Sequence, residues 1–429
     1  MQRPRPFTSR RRQLVLGLAA GAALGLPATA PAQSATYTDW GWPTPYAKVS
    51  DKSVAWLKEK GWWPVQVAFQ APWSGQNTVN IVMDRMGLMG LRSVEAKWTA
   101  FASGPAINEV LISGRYQAGS GGNFPFTTLV DRKIPVKAIA IESPNLLHAL
   151  VVPNDSRIKS IKDFKGSNPP ATIGLVTGSS AEFYFQMSAQ LNGLEIGKDV
   201  IMKNMPPGEQ MAMPRGIDGV VSWDPTPTMM VEERKNGRIV DTIFPYNIYE
   251  GQFYLRQELI DNAPDVAQAF SDAFAEATLW IRLNPEKAAA FKSEEPNLKN
   301  YSKEMLLQQV KSYSNLYKPT SIYPLAEFYG QVNEPIFKWL YDAKRITRPL
   351  TGSDFAAAVD ERFMRNTFTR LGWTIPKAPP FLPKGWAGKP SQPPYPEYLN
   401  AFNTKLPQTF PEPGDLTKAW QFNGKVHQP

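Results

Sequence analysis

Short apolar runs alternate with segments of helical periodicity along the first third of the chain. Strand-like runs at residues 64–70, 93–101 and 135–142 are separated by helix-period segments at 74–89 and 103–114. In both helical segments, small polar residues stand at the start, as is typical of helix caps. This order predicts a mostly parallel sheet with helices on its faces.

The same alternation restarts near residue 148 and predicts a second unit. A helix is expected to begin at Ser179. The predicted strands of this unit are 148–154, 171–178, 199–205, 216–225 and 238–244. Beyond about residue 251 the pattern becomes helical, with helices expected from 264 and at 303–317, 325–340 and 353–371. The chain is therefore predicted to hold two α/β units and a set of C-terminal helices.

The N-terminal 32 residues have the pattern of an export signal. Five arginines precede the apolar run 14–26, and an Ala-x-Ala cleavage site follows at 30–32. The paired arginines within 9–15 fit a Tat-type signal, and an ordinary secretory signal is the alternative. We therefore expect a soluble protein in the periplasm, with the signal removed. Residues 33–61 are expected to form a lead-in with one short helix.

Composition narrows the possible chemistry. The chain has no cysteine and two histidines, so we expect no disulfide, no metal site and no cofactor. Removing a leader with five arginines and no acidic residue lowers the formal charge from +9 to +4, which does not predict nucleic-acid binding. Residues 376–429 contain twelve prolines and are expected to be an extended tail on the surface.

Polar and small residues gather where the predicted strands end. In open α/β sheets, ligands bind beyond the carboxyl ends of the strands, and helix N-termini there favour anions. Hydroxyl, amide and backbone N–H groups would hold a small anion without a countercharge. The candidate ligand-binding residues are Gln70, Trp73, Ser74, Gly104, Ser120, Gly121, Asn123, Gly178, Ser179, Ser180, Trp223 and Asp224.

Several of these residues have a second interpretation. Ser179 and Ser180 are either ligand contacts or simple helix caps. Trp223 and Asp224 are either a wall of the cleft, with Asp224 suited to a ligand amine, or a core side chain and a cap. Gln70 is either a donor to an anion or part of a surface turn. A nucleophilic serine is disfavoured because the Gly-x-Ser-x-Gly elbow is absent, and we do not expect an enzyme.

Several segments in order resemble a known family. They are "FASGPAINEVLISGRYQAGSGGNFP" (101–125), "SIKDFKG" (160–166), "GSS" (178–180) and "GIDGVVSWDP" (216–225). Over residues 62–285 the chain resembles the substrate-binding proteins of ABC importers for taurine, alkanesulfonates and nitrate. One departure concerns specificity: the glycine-rich loop reads "GSGGN" (119–123), where relatives often carry Gly-Asp.

The resemblance implies an α/β, two-lobe periplasmic-binding-protein-like fold of type II. Lobe one would be 62–150 plus 247–375, and lobe two 151–246. A small organic anion would bind between the lobes: a sulfonate or taurine-like compound, a nitrate-like ion or an aromatic carboxylate. The loaded protein, expected to be a monomer, would meet an ABC permease in the inner membrane. The alternatives are binding of a thiamine pyrimidine precursor and an enzyme resembling the pyrimidine synthase of thiamine biosynthesis.

Overall fold

A computed structural model describes residues 40, 42, 44–73, 77–244, 246–316, 319–379, 382, 386–392, 395, 420–422 and 425–427 of the 429-residue chain. These residues form two five-stranded sheets, a separate two-stranded pair and the helices around them. The α/β class and the presence of two sheets flanked by helices, predicted from the sequence pattern, are confirmed. The predicted export signal, residues 1–32, lies outside the described residues.

The first sheet is mostly parallel. Its strands are β1 (Val65–Gln70), β2 (Ala96–Phe101), β3 (Ala118–Gly122), β4 (Val136–Ile141) and β10 (Gly251–Arg256), in the order β2-β1-β3-β10-β4. β1 runs parallel to β2 and β3, whereas β10 runs antiparallel to β3 and β4. The carboxyl ends of the four parallel strands therefore meet at one edge, where the chain later returns to enter β10.

The second sheet repeats this plan. Its strands are β5 (His148–Pro153), β6 (Ala171–Leu175), β7 (Val200–Asn204), β8 (Gly219–Trp223) and β9 (Gly237–Thr242), in the order β7-β6-β8-β5-β9. β6 is parallel to β7 and β8, and β5 is antiparallel to β8 and β9. The separate pair consists of β11 (Trp420–Phe422) and β12 (Lys425–His427).

Fifteen α-helices occur in the described part of the chain. They are α1 (Asp51–Glu59), α2 (Asn77–Arg85), α3 (Gly104–Ile112), α4 (Asn123–Asp131), α5 (Ser180–Leu191), α6 (Pro207–Gln210), α7 (Thr226–Thr228), α8 (Gln257–Asn262), α9 (Pro264–Leu283), α10 (Pro285–Ser293), α11 (Lys303–Leu316), α12 (Ala326–Val332), α13 (Glu334–Asp342), α14 (Gly352–Ala357) and α15 (Arg362–Leu371). None of these helices has both the length and the apolar character of a membrane span.

The structure corrects two predictions. The chain beyond residue 251 is not helical at once: Gly251–Arg256 is the buried antiparallel strand β10. The expected glycine-rich loop is itself strand β3, and α4 follows it directly. β3 needs glycine because a β-carbon at Gly119 would lie 2.9 Å from both Leu111 and Tyr254. A run of glycines thus marks close packing here, where the sequence suggested a turn.

The predicted helices at 325–340 and 353–371 are each interrupted. Asn333 separates α12 from α13, and residues 358–361 separate α14 from α15. In the tail, Tyr395 is buried against the core of the second sheet, and Leu382 and Trp386 are partly buried there. These three side chains anchor the described tail, while most of its other described residues are exposed or partly exposed.

A buried carboxylate in α9, Glu276, attaches the lead-in to the rest of the protein. Arg92 Nη2 lies 2.7 Å from Glu276 Oε2 in α9, and both side chains are almost fully buried. Trp40 and Tyr46 donate hydrogen bonds of 2.9 and 2.7 Å to the other carboxylate oxygen of Glu276. The lead-in is therefore held by one acidic group that receives three side-chain donors.

The chain passes between the sheets twice, from β4 to β5 and from β9 to β10. The buried His148 lies where these two connections meet. His148 Nδ1 lies 3.1 Å from the carbonyl oxygen of Leu146, and His148 Nε2 lies 2.8 Å from Ser180 Oγ. The ring of Tyr249 packs on the imidazole, with 4.7 Å between ring centres. Burial lowers the pKa of His148 from its ordinary value of 6.5 to about 3.

Replacing Glu276 by Gln should destabilise the protein by about 3–5 kcal/mol, because the buried Arg92 guanidinium loses its countercharge. Urea unfolding measures the effect. The control is Glu258→Gln, because the Lys60–Glu258 ion pair has side-chain exposures of 39% and 47%, and we expect a loss below about 1 kcal/mol there. Equal losses in the two variants would contradict a structural role for the buried pair.

The stability that neutral His148 provides should be complete above pH 6.5 and should fall as the pH drops towards about 3, since only the unfolded chain then binds the proton. The difference in unfolding free energy between the wild type and His148→Gln should shrink by roughly 1.4 kcal/mol per pH unit below pH 6. Urea unfolding at pH 7.5, 6.0 and 5.0 measures it. A difference that stays constant with pH would show that folding does not depress this pKa.

Candidate functional site

Three of the sequence-predicted residues converge at one corner of the first sheet. Gln70 ends β1, Gly104 begins α3 and Gly121 lies in β3. A β-carbon at Gly104 would lie 3.7 Å from Gln70 Oε1, and one at Gly121 would lie 3.8 Å from the α-carbon of Gly104. The same position at Gly121 is 3.1 Å from the hydroxyl of Tyr254, which is buried without a hydrogen-bond partner. This corner of the first sheet is therefore narrow: two glycines bring backbone close together, and the Gln70 amide and the Tyr254 hydroxyl are its polar side-chain groups.

Trp73 lies beside the entrance to β10. A β-carbon at Gly251 would come within 2.6 Å of the Trp73 indole ring and 3.1 Å of Ser143. Trp73 is buried and packs with the core of the second sheet. Burial raises the pKa of Tyr249, and hydrogen bonds from Ser180 and Trp73 offset part of that rise. Trp73 therefore joins the loop after β1 to the passage between the sheets. Ser74, the next predicted residue, lies outside the described residues.

Asn123 belongs to a buried amide–carboxylate cluster. Its amide nitrogen lies 3.4 Å from Glu250 Oε2, and its backbone N–H donates to the Glu250 carbonyl at 2.9 Å. Gln252 and Asn333 also donate to the Glu250 carboxyl group. Burial raises the pKa of Glu250 well above its ordinary value, and these three amides oppose the rise. Glu250 is thus surrounded by protein donors.

A second buried carboxyl group, Glu142, forms the centre of a less complete set of contacts. We use "Glu142 cluster" for Asn77, Thr78, Asn80, Ser120, Glu142 and Ser143. Asn80 donates to Glu142 Oε1, and Ser120 lies beside the same carboxyl group. All six residues are buried. Both amide atoms of Asn77, the hydroxyls of Thr78, Ser120 and Ser143, Asn80 Oδ1 and Glu142 Oε2 have no hydrogen-bond partner.

The second sheet contributes the loop before α5. Ser179 caps this helix: its hydroxyl accepts from the N–H of Ala181 at 3.2 Å and donates to the Val176 carbonyl at 2.6 Å. Ser180 makes its hydrogen bond to His148 Nε2. Gly178 has a φ of +76°, and a β-carbon there would lie 3.6 Å from Pro105 at the start of α3. The loop therefore touches the first-sheet helices while both hydroxyls serve the protein, and ligand contact by either serine stays a prediction.

Trp223 and Asp224 end β8. The Trp223 indole N–H donates to the Pro72 carbonyl at 3.0 Å, so this ring spans the gap between the sheets. Asp224 Oδ1 accepts from the hydroxyl and the backbone N–H of Thr228 at 2.6 and 3.3 Å. These contacts hold Asp224 against Thr228 at the end of the short helix α7, and ligand contact by Asp224 stays a prediction.

An ion pair links the two halves next to this loop. Arg345 Nη2 lies 2.8 Å from Glu182 Oε1, and Glu182 Oε2 accepts the N–H of Gly178 at 2.6 Å. The groove above the pair has a volume of about 330 Å³ and is lined by Pro105, Asn108, Phe124, Gly178, Leu340 and Arg345. Phe183 packs against Phe124 from the opposite side, with 6.2 Å between ring centres. The described arrangement is therefore closed at the start of α5.

The sequence interpretation missed most of the Glu142 cluster. Asn77 and Asn80 stand one helical turn apart at the start of α2, and Glu142 terminates an apolar strand. The sequence shows that Asn77 and Asn80 are three residues apart. It does not show that Glu142, at the end of a distant strand, is their neighbour. Among the described residues, no three His, Asp or Glu side chains converge in a manner that could hold a metal ion.

Comparison with known proteins identifies one protein-family model that matches part of this chain. Residues 106–288 match the family model described as NMT1/THI5 like. No curated protein matches this chain.

Solved structures with the same fold cover most of the chain. The alkanesulfonate-binding protein SsuA from Xanthomonas axonopodis pv. citri has 15% sequence identity and a TM-score of 0.58, and the match covers 69% of this chain and 97% of that one. The periplasmic aliphatic sulphonate binding protein SsuA from Escherichia coli has 16% identity and a TM-score of 0.56, with coverage of 68% and 98%.

The periplasmic nitrate-binding protein NrtA from Synechocystis PCC 6803 has 16% identity and a TM-score of 0.60, with coverage of 73% and 91%. At these identities the comparison establishes the fold. The resemblance predicted from the sequence is therefore confirmed: residues 106–288 match the NMT1/THI5-like family model, and the chain has the fold of the periplasmic sulfonate- and nitrate-binding proteins.

Proposed function

We propose that this chain is the periplasmic solute-binding component of an ABC importer and that it captures a small organic acid between its two sheets. A sulfonate or taurine-like compound is the first candidate, followed by nitrate-like ions and aromatic carboxylates. The predicted export signal would deliver the protein, as a monomer, to a permease in the inner membrane. No chemical step is part of this proposal.

The single observation that carries the proposal is the set of unpartnered polar atoms in the Glu142 cluster. A buried polar atom without a hydrogen bond costs about 1–3 kcal/mol, and native proteins avoid such atoms in structural positions. Seven of them lie on the six residues of the Glu142 cluster, at the start of α2 and along the carboxyl edge of the first sheet. An occupant that makes these hydrogen bonds would explain their placement, and a small polar solute provides it.

The position of α2 supports an acidic group on that solute. Asn77 and Thr78 open this helix, and the free N–H groups and positive dipole end of a helix start attract anions. The Asn77 amide and Thr78 hydroxyl add neutral donors. The fold neighbours are described as binding sulfonates and nitrate, which are small anions of this kind.

Closure would couple binding to transport. The solute would be enclosed when the sheets approach, as in hinge closure around a ligand. Glu182 and Phe183 at the start of α5 make the contacts with Arg345 and Phe124 that hold the closed arrangement. A permease would then distinguish the loaded, closed protein from the empty, open one.

Catalysis by the Ser180–His148 pair is disfavoured. The 2.8 Å contact is the geometry of a nucleophile and its base. Burial, however, lowers the pKa of His148 to about 3, so the imidazole is a poor proton acceptor near neutral pH. A carboxylate does not orient the ring; the Leu146 carbonyl does. A binding role therefore fits this pair better than the pyrimidine-synthase-like alternative.

Binding of a thiamine pyrimidine precursor stays the second candidate function. Trp73, Tyr249 and Tyr254 place aromatic surface next to the Glu142 cluster. Aromatic rings stack on planar heterocycles as well as on aromatic acids. The ligand screen below separates the two classes.

Isothermal titration and thermal shift with sulfonates, nitrate, aromatic acids and a neutral pyrimidine test the proposal. A true ligand at 100 times its Kd should stabilise the protein by about 2.7 kcal/mol. Thr78→Val should weaken binding of an acid about tenfold or more, because it removes a buried hydroxyl donor. Thr278→Val is the matched control, since that hydroxyl only bonds the Phe274 carbonyl within α9. Binding of the pyrimidine alone would contradict an acid ligand.

Replacing Arg345 by Gln should speed ligand release about 2–5-fold, because the partly exposed pair with Glu182 contributes roughly 0.5–1 kcal/mol to the closed arrangement. Stopped-flow fluorescence of the tryptophans can follow the release. Lys338→Gln is the control, as its pair with Asp342 lies on the exposed face of α13. An identical release rate in all three proteins would show that the pair does not stabilise closure.

A further inference from the structure

We propose that Glu142 binds a protonated nitrogen of the solute, so that the protein selects a zwitterion over the corresponding simple acid. This inference rests on the proposed function, because it assigns the second charged end of the same ligand. Nothing in the fold or the family model identifies this residue as a determinant of specificity.

The first argument is the incomplete coordination of Glu142. Its carboxyl group is buried, receives a hydrogen bond from Asn80 at Oε1 and lies beside Ser120. Oε2 is buried with no hydrogen-bond partner. An ionised carboxylate has room for about four hydrogen bonds, so the free oxygen is a vacant acceptor.

Two other buried glutamates show what a structural carboxyl group looks like in this protein. Glu276 has an arginine, a tryptophan and a tyrosine as donors. Glu250 has three amide donors, from Asn123, Gln252 and Asn333. In both cases protein donors reach both carboxyl oxygens. Glu142 departs from this pattern only at the oxygen that lacks a partner.

The second argument is electrostatic. No ion pair among the described residues includes Glu142, and burial raises its pKa well above the ordinary value. A buried carboxylate without a countercharge is costly, and a nearby cation favours its ionised form. A ligand ammonium group would supply that cation. A simple anion would bring a second negative charge towards the same oxygen.

The third argument is the distance between the two ends of the site. Asn77 and Asn80 lie on one face of α2, one turn apart, and Asn80 contacts Glu142. One helical turn is about 5 Å long. The helix start and the Glu142 carboxyl group are thus about one helical turn apart along α2, which is the length scale of a short zwitterion.

Titration with 2-aminoethanesulfonate and ethanesulfonate, which differ only in the amine, tests the inference. The wild type should bind the amino compound about 30-fold more tightly, as expected for a buried charge-assisted hydrogen bond. Glu142→Gln should reduce the preference to less than about threefold while ethanesulfonate still binds. Glu250→Gln removes the other carboxylate at this end of the sheet and should keep the preference.

The outcomes separate this inference from the proposed function. Equal affinity of the wild type for both sulfonates would overturn the role of Glu142 and leave acid binding intact. A preference that survives in Glu142→Gln would place the nitrogen elsewhere and also overturn it. Binding of neither sulfonate, nor of any other acid, would reject the proposed function itself. If Glu142→Gln does not fold, Glu142→Asp should retain a reduced preference, and its complete loss there would contradict the proposal.

Discussion

A carboxyl group that leaves water has to recover its hydrogen bonds, and this constraint decides which segments of the chain come together. Glu276 holds the lead-in on α9 through Trp40 and Tyr46, and it also pairs with Arg92. Glu250 gathers Asn123 at the start of α4 and Asn333 between α12 and α13. Each of these acids joins segments that lie far apart in the sequence. Glu142 differs from both, because its Oε2 atom is buried without a hydrogen-bond partner, and our proposal places the solute at this atom.

Several of the contacts at the boundary between the two halves are made by residues at the start of α5. Ser180 bonds to His148 where the chain passes between the sheets, and Glu182 pairs with Arg345. Phe183 packs on Phe124 over the same groove. The contacts of Glu182 and Phe183 join the two halves from consecutive residues, so separating the halves would break both together. The Ser180–His148 contact lies within the second-sheet half and would persist.

The sequence pattern predicted the two α/β units and most of their elements, because strand and helix periodicities are local. For Ser179 the sequence left a helix cap and a ligand contact as alternatives; the structure shows the capping hydrogen bond, and ligand contact stays a prediction. The sequence pattern missed β10, since Gly251–Arg256 is almost wholly buried and shows no alternation, and its pairing with β3 is non-local. It missed Glu142 for a related reason. The surroundings of Glu142 depend on which helix packs against the end of β4. The sequence pattern does not show that this helix is α2, or that Asn80 contacts the carboxyl group.

The glycines of β3 have a consequence for anyone who wishes to change what the protein recognises. A side chain at Gly119 or Gly122 would collide with the rings of Tyr254 or Tyr249, so the floor of the cleft tolerates almost no substitution. The first turn of α2 is different, because Asn77 and Thr78 have polar atoms that the protein itself does not use. Libraries that vary the proposed binding site should therefore change the first turn of α2 and leave β3 unchanged.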